Sequence, residues 1–253
     1  MRPVKAIAAL LPFLIACAAQ AQERPELVVR NPHYFVIVGD GETAPTLSVE
    51  VRSFFDRTQA LKLEVSDPGG AIRLESTVMV GEQATHPIPG EPAQLYLVSA
   101  NMGSNGIVFS CDRPWAVYAA GRTGLGSNGT VPEMYLYVPE ETEAFALRVS
   151  AVSPNEGGRV TLHRPDGSVA LVMDGEFDTE QERQVEVPEA LRGRAWSLTW
   201  SEPQTVDASL QDINVYIEGS LTPLLWIERQ WAEAHGEMLW ERHKAALAEE
   251  EAQ

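Results

Sequence analysis

Asp174, Glu176 and Asp178 stand at alternate positions, the one-three-five spacing that arranges carboxylates around a hard cation. Ca²⁺ is the ion such a loop would take. The segment departs from an EF-hand, because Val185 occupies the place of the bidentate glutamate and the turn glycine is displaced. A solvated acidic hairpin loop is the competing reading. Other chemistry is sparse. The histidines, His33, His86, His163, His235 and His243, form no HExxH and no tight ligand cluster. His235 and His243 would lie about 80° apart on a helix, too far round to share a metal. No G-x-S-x-G elbow nominates a nucleophilic serine. Gly124, Gly126 and Gly129 have the spacing of a dinucleotide-binding loop, but such a loop must open a helix at its third glycine. Thr130-Val131-Pro132 and a new strand follow instead.

Two tyrosines offer binding chemistry. In the strand from Met134 to Val138, alternation turns Met134, Leu136 and Val138 inward and leaves Tyr135 and Tyr137 on the outer face. Rings about 7 Å apart along a strand can stack on sugars. The alternative is that they pack beneath another element.

The elements that position these residues are read from a duplication. Lys62–Glu75 and Arg159–Val172 align with Pro68 on Pro165, Gly70 on Gly167, and Leu63, Val65, Ile72 and Leu74 on Val160, Leu162, Val169 and Leu171. Each reads as strand, tight turn, strand, with proline and glycine supplying the turn geometry. The alignment extends to Leu47, Val49 and Val51 on Phe145, Leu147 and Val149. Further on it places Leu95 and Leu97 on Trp196 and Leu198, and Val117 and Tyr118 on Val215 and Tyr216. Repeats of this length predict a mainly β protein: two tandem antiparallel β-sandwich domains, residues 24–121 and 131–222, joined by a glycine-rich linker at 122–130. Thr222 and Pro223 then suit the start of an amphipathic helix over 223–253 that ends in an acidic tail. Leu224, Ile227, Trp231, Ala234 and Met238 form its apolar stripe. Trp240 and Leu247 fall off that stripe, so they are expected to face water or a partner.

The chain has 253 residues, 44% of them hydrophobic, and a formal charge of −17 from 36 acidic and 19 basic side chains. That excess repels phosphate backbones and argues against nucleic-acid binding. Residues 1–21 read as a signal peptide, with Arg2 and Lys5 before the apolar run Ala6–Ala16 and a cleavage site at Ala19-Gln20-Ala21. Leu14-Ile15-Ala16-Cys17 offers the alternative, a lipobox whose acylated Cys17 would anchor the protein to a membrane. Either route exports the chain, to the periplasm or beyond. No later stretch is long and apolar enough to span a bilayer. Cys111, the thiol that remains after cleavage, reads as a small buried hydrophobe near a strand end.

Residues 131–223, with a strand entering Tyr137-Val138-Pro139, a Pro165-Asp166-Gly167 hairpin and a Gly193-Arg194-Ala195-Trp196 strand, resemble non-catalytic β-sandwich modules of exported bacterial proteins. These are the fibronectin-like, galactose-binding-like and prepeptidase-C-terminal-like modules. The resemblance implies an accessory protein of the cell envelope that recognises a glycan or other envelope polymer, with Ca²⁺ as a structural ion. The alternative is an assembly protein whose C-terminal helix docks a protein partner. A hydrolase with a site built from distant loops is the third reading.

Overall fold

The computed structural model describes residues 26–251 apart from Pro32, Phe55, Arg122 and Thr123. Cys17 and the cleavage site after Ala21 lie outside the described residues. The first repeat contains β1 (Val28–Arg30), β2 (His33–Val38), β3 (Thr46–Arg52), β4 (Leu61–Ser66), β5 (Ile72–Val78), β6 (Gln83–Pro87), β7 (Leu95–Asn101), β8 (Gly106–Cys111) and β9 (Trp115–Tyr118). The second contains β10 (Leu125–Ser127), β11 (Met134–Val138), β12 (Ala144–Ala151), β13 (Gly157–His163), β14 (Val169–Glu176), β15 (Gln181–Glu186), β16 (Arg194–Ser201), β17 (Ile213–Gly219) and β18 (Leu224–Trp226). Helix α1 (Arg229–Glu251) follows.

The protein is mainly β, two tandem antiparallel sandwich repeats and a C-terminal helix, and the repeats agree strand for strand. In the first, one sheet runs β1-β8-β3-β6 and the other β9-β2-β7-β4-β5; in the second the corresponding orders are β10-β17-β12-β15 and β18-β11-β16-β13-β14. Alternation decides which side chains enter the core. Leu47, Val49 and Val51 are buried between polar neighbours, as are Leu61, Leu63 and Val65. The hairpin turns match as well. Gly70 donates its N–H to Asp67 O at φ 81°, and Gly167 donates to Arg164 O at φ 83°. That left-handed backbone is what glycine permits at low cost. Inside the first repeat, Phe35 and Phe109 stack at 4.3 Å with Trp115 edge-on to both. In the second repeat Phe145 meets Trp196 edge-on, and the buried Trp200 Nε1 donates to Ser127 Oγ at 2.7 Å.

Among its described residues, segment 122–130 is not a free linker. Its middle forms β10, which pairs with both β1 and β17, so one sheet continues through both repeats. Gly124 and Gly126 serve close approach here, not slack. A Cβ on Gly126 would lie 2.8 Å from Asn214 Oδ1 and 3.2 Å from Arg30 O. The start of the predicted helix is corrected similarly. Leu224–Trp226 form β18, which joins β11 to β9 and makes the second sheet continuous, and the helix begins at Arg229. The two repeats are therefore fused edge to edge, with eight strands in one sheet and ten in the other among the described residues.

The ladders also correct the alignment of the repeats. Val65 pairs with Val98 as Leu162 pairs with Leu198, so Val98, not Leu97, corresponds to Leu198. A slip of one residue exchanges the two faces of a strand. Leu97 instead corresponds to the outward Ser197, and Val36 to Tyr135. Likewise β17 occupies the place of β8, not of β9. With the register set, Arg30 opposes its own counterpart Gly126 in one sheet, and Ala116 opposes its counterpart Trp226 in the other. An approximate two-fold axis passes through those two pairs.

Candidate functional site

Helix α1 lies along the outer face of the ten-stranded sheet, over β11, β16 and β18. Gly236 makes this possible, since a Cβ there would come within 2.3 Å of Tyr137 Cβ and Cγ. Tyr137 donates its hydroxyl to Glu237 Oε2 at 3.0 Å, and burial together with that carboxylate pushes its phenol well above the usual range. Tyr135 donates to Glu133 Oε2 at 2.8 Å, and the Arg229 guanidinium sits 5.5 Å from its ring centre. Both tyrosines are on the outer face, as their parity requires, but the helix covers that face. They do not form an open stacking platform for sugars.

Trp240 is also placed differently from the expectation. It is 5% exposed, and its Nε1 donates to Glu141 in the turn between β11 and β12. Lys244 Nζ donates to the same carboxylate oxygen at 2.7 Å, and the two contacts hold Glu141 down to about 2. The helical wheel treats a helix as resting on one surface; here the turn rises beside it and covers a second side. Leu247 remains exposed at 44%.

The acidic triplet does not gather. Asp174 accepts from Arg159 Nη1 at 2.5 Å and from the Gln204 backbone N–H at 2.9 Å, while Glu176 and Asp178 are exposed. No group of three or more His, Cys, Asp or Glu among the described residues could hold a metal ion. Asp174 is committed to an ion pair on β13 and a loop after β16, which the spacing alone did not reveal. The nearest approach to nucleophilic chemistry is Ser76 Oγ and His86 Nε2, 3.2 Å apart between β5 and β6. No carboxylate hydrogen-bonds to that imidazole among the described residues, so the pair lacks the group that would orient it.

The distinctive surface is the part of the outer face that α1 leaves uncovered. Val38, Leu95 and Ala116 of the first repeat join Ala195, Leu224 and Trp226 in an apolar layer that meets Ala232 and Leu239 of the helix. Beyond that layer, towards the start of β2, a groove of about 450 Å³ opens between the helix and the first repeat. Its floor is Tyr34, Val36, Leu97 and Tyr118, and its wall is Leu239, Arg242, His243 and Ala246. Tyr34 is 61% and Leu97 44% exposed. Among the described residues the lining includes no Asp or Glu, although the chain carries 36 of them. Strands β2 and β7 are apolar at both parities, so alternation does not show that Tyr34 and Leu97 face outward, and the sequence alignment of the repeats matched Leu97 to the buried Leu198. No protein-family model matches the chain, and no curated protein matches it.

Proposed function

We propose that this is an exported, non-catalytic binding protein of the cell envelope that holds a protein partner in the groove beside α1. The observation that carries the reading is the groove itself. Two large apolar side chains, Tyr34 and Leu97, are exposed on one continuous apolar floor in a chain of net charge −17. Contiguous apolar surface of this kind marks interaction sites, whereas singly scattered hydrophobes do not. The lining also argues for the class of ligand. Sugar hydroxyls need convergent hydrogen-bonding groups, and catalysis needs oriented titratable ones; this floor offers neither, beyond the Tyr34 and Tyr118 hydroxyls. The signal-peptide pattern of residues 1–21, with Cys17 as its lipidation alternative, supports the envelope setting.

The test uses Leu97→Glu, which changes an exposed side chain and should preserve the fold. Wild-type protein should enhance the fluorescence of N-phenyl-1-naphthylamine, and the variant should lose that enhancement with an unaltered melting curve. Equal enhancement by both proteins would show that the groove is not the apolar site.

A further inference from the structure

Resting on that reading of the groove, we propose that its occupant is an amphipathic α-helix of a partner protein, lying beside α1 and presenting carboxylates to Arg242. Four observations lead there. First, the floor is the face of a sheet whose backbone N–H and C=O groups are already paired within β2, β7 and β9. An extended peptide would find no backbone partners on it, whereas a helix satisfies its own.

Second, the spacing suits a helix. Strands lie about 4.8 Å apart and packed helices about 8–10 Å apart. The axis of a helix beside α1 would fall roughly two strands away, over β9 and β2, two of the three strands that form the floor of the groove. Third, the two-fold relation between the repeats supplies a precedent within the molecule. Val36 and Leu97 occupy the positions of Tyr135 and Ser197, and those two lie beneath α1. The face that carries a helix in one repeat is open in the other.

Fourth, the charge has a sign. Arg242 is exposed at the lip, is the one permanently charged residue of the lining, and makes no ion pair among the described residues. With no carboxylate among the described residues of the lining, a helix with glutamates along the flank facing α1 is complementary, and one with lysines there is not.

The probes are two labelled synthetic helices of about 18 residues with one leucine stripe, flanked by glutamate in one and lysine in the other. Fluorescence anisotropy should show the glutamate-flanked helix binding wild-type protein roughly tenfold more tightly than its lysine-flanked twin. Arg242→Glu should reverse the preference, and Leu97→Glu should abolish binding of both. Equal affinity for the two helices, or binding that ignores Leu97→Glu, overturns the proposal. So does a concentration-dependent dimer in sedimentation velocity that Leu97→Glu dissociates, because the occupant would then be a second copy. Binding to phosphatidylglycerol vesicles through Leu97, with neither helix bound, would also overturn it in favour of lipid. Retained dye enhancement without helix binding rejects this occupant alone; loss of both rejects the groove as a site.

Discussion

Arg30 of β1 and Asp212, just before β17, form an ion pair across the seam between the repeats, both largely withdrawn from water. Arg30 also donates from Nη2 to Ser104 O at 3.0 Å and lies 4.7 Å from the centre of the Phe54 ring. Burial lowers its guanidinium pKa, and the nearby Glu156 opposes that shift. Breaking such a pair removes the carboxylate in direct contact with the buried Arg30 and leaves Glu156 to oppose its charge. Asp212→Ala should therefore cost about 3 kcal/mol in chemical denaturation. The apolar double replacement Arg30→Met/Asp212→Leu should recover much of that loss. Equal stability of wild type and Asp212→Ala would mean that the pair does not clasp the seam.

Gly236 sets intrinsic helix preference against packing. Alanine is the better helix former by about 1 kcal/mol. Its methyl group, however, would meet Tyr137 at 2.3 Å. Gly236→Ala should lower the melting temperature, and Gly236→Ala/Tyr137→Ala should regain part of the loss. A stabilised single variant would show that α1 can lift from β11 freely.

Glu141 makes the attachment of the helix sensitive to acid. Lys244 and then Trp240 hold its carboxyl down to about 2, below the ordinary value. Its contribution is complete above the unfolded carboxyl pKa and is lost as pH falls through the folded one. Tryptophan emission from the α1 interface should shift to the red as pH falls from about 4.5 towards 2. In Glu141→Gln that pH dependence should flatten.

Cys111 should be a slow nucleophile. Burial raises its thiol to about 11, so little thiolate forms near neutrality. Alkylation by iodoacetamide should be slow at pH 8 and accelerate as pH rises towards 11. Rapid labelling at neutral pH would contradict its partly buried placement.

Much of the architecture was legible because it is encoded locally. The match of Leu47, Val49 and Val51 to Phe145, Leu147 and Val149 identified paired core positions, and the turn residues around Pro68–Gly70 and Pro165–Gly167 identified both hairpins. The seam was not legible. Strands β10 and β18 have three residues each, too few for a period, and their partners are distant in sequence. Thr222-Pro223 has the chemistry of a helix start, yet tertiary pairing recruits Leu224–Trp226 into a sheet. The groove was hidden for a related reason. It depends on where α1 stops covering the face, and a helical wheel contains no information about a neighbouring turn such as the one at Glu141.

The continuous sheets also dictate an order of assembly. As the chain is synthesised, the first repeat has β1 and β9 as bare strand edges until β10 and then β18 exist to pair with them. Its completion waits on residues near the far end of the chain. Through that interval the nascent protein presents open edges that can recruit a neighbouring chain, the hazard of incomplete sheets. Truncation before Leu224 would make the interval permanent by leaving β9 without its seam partner.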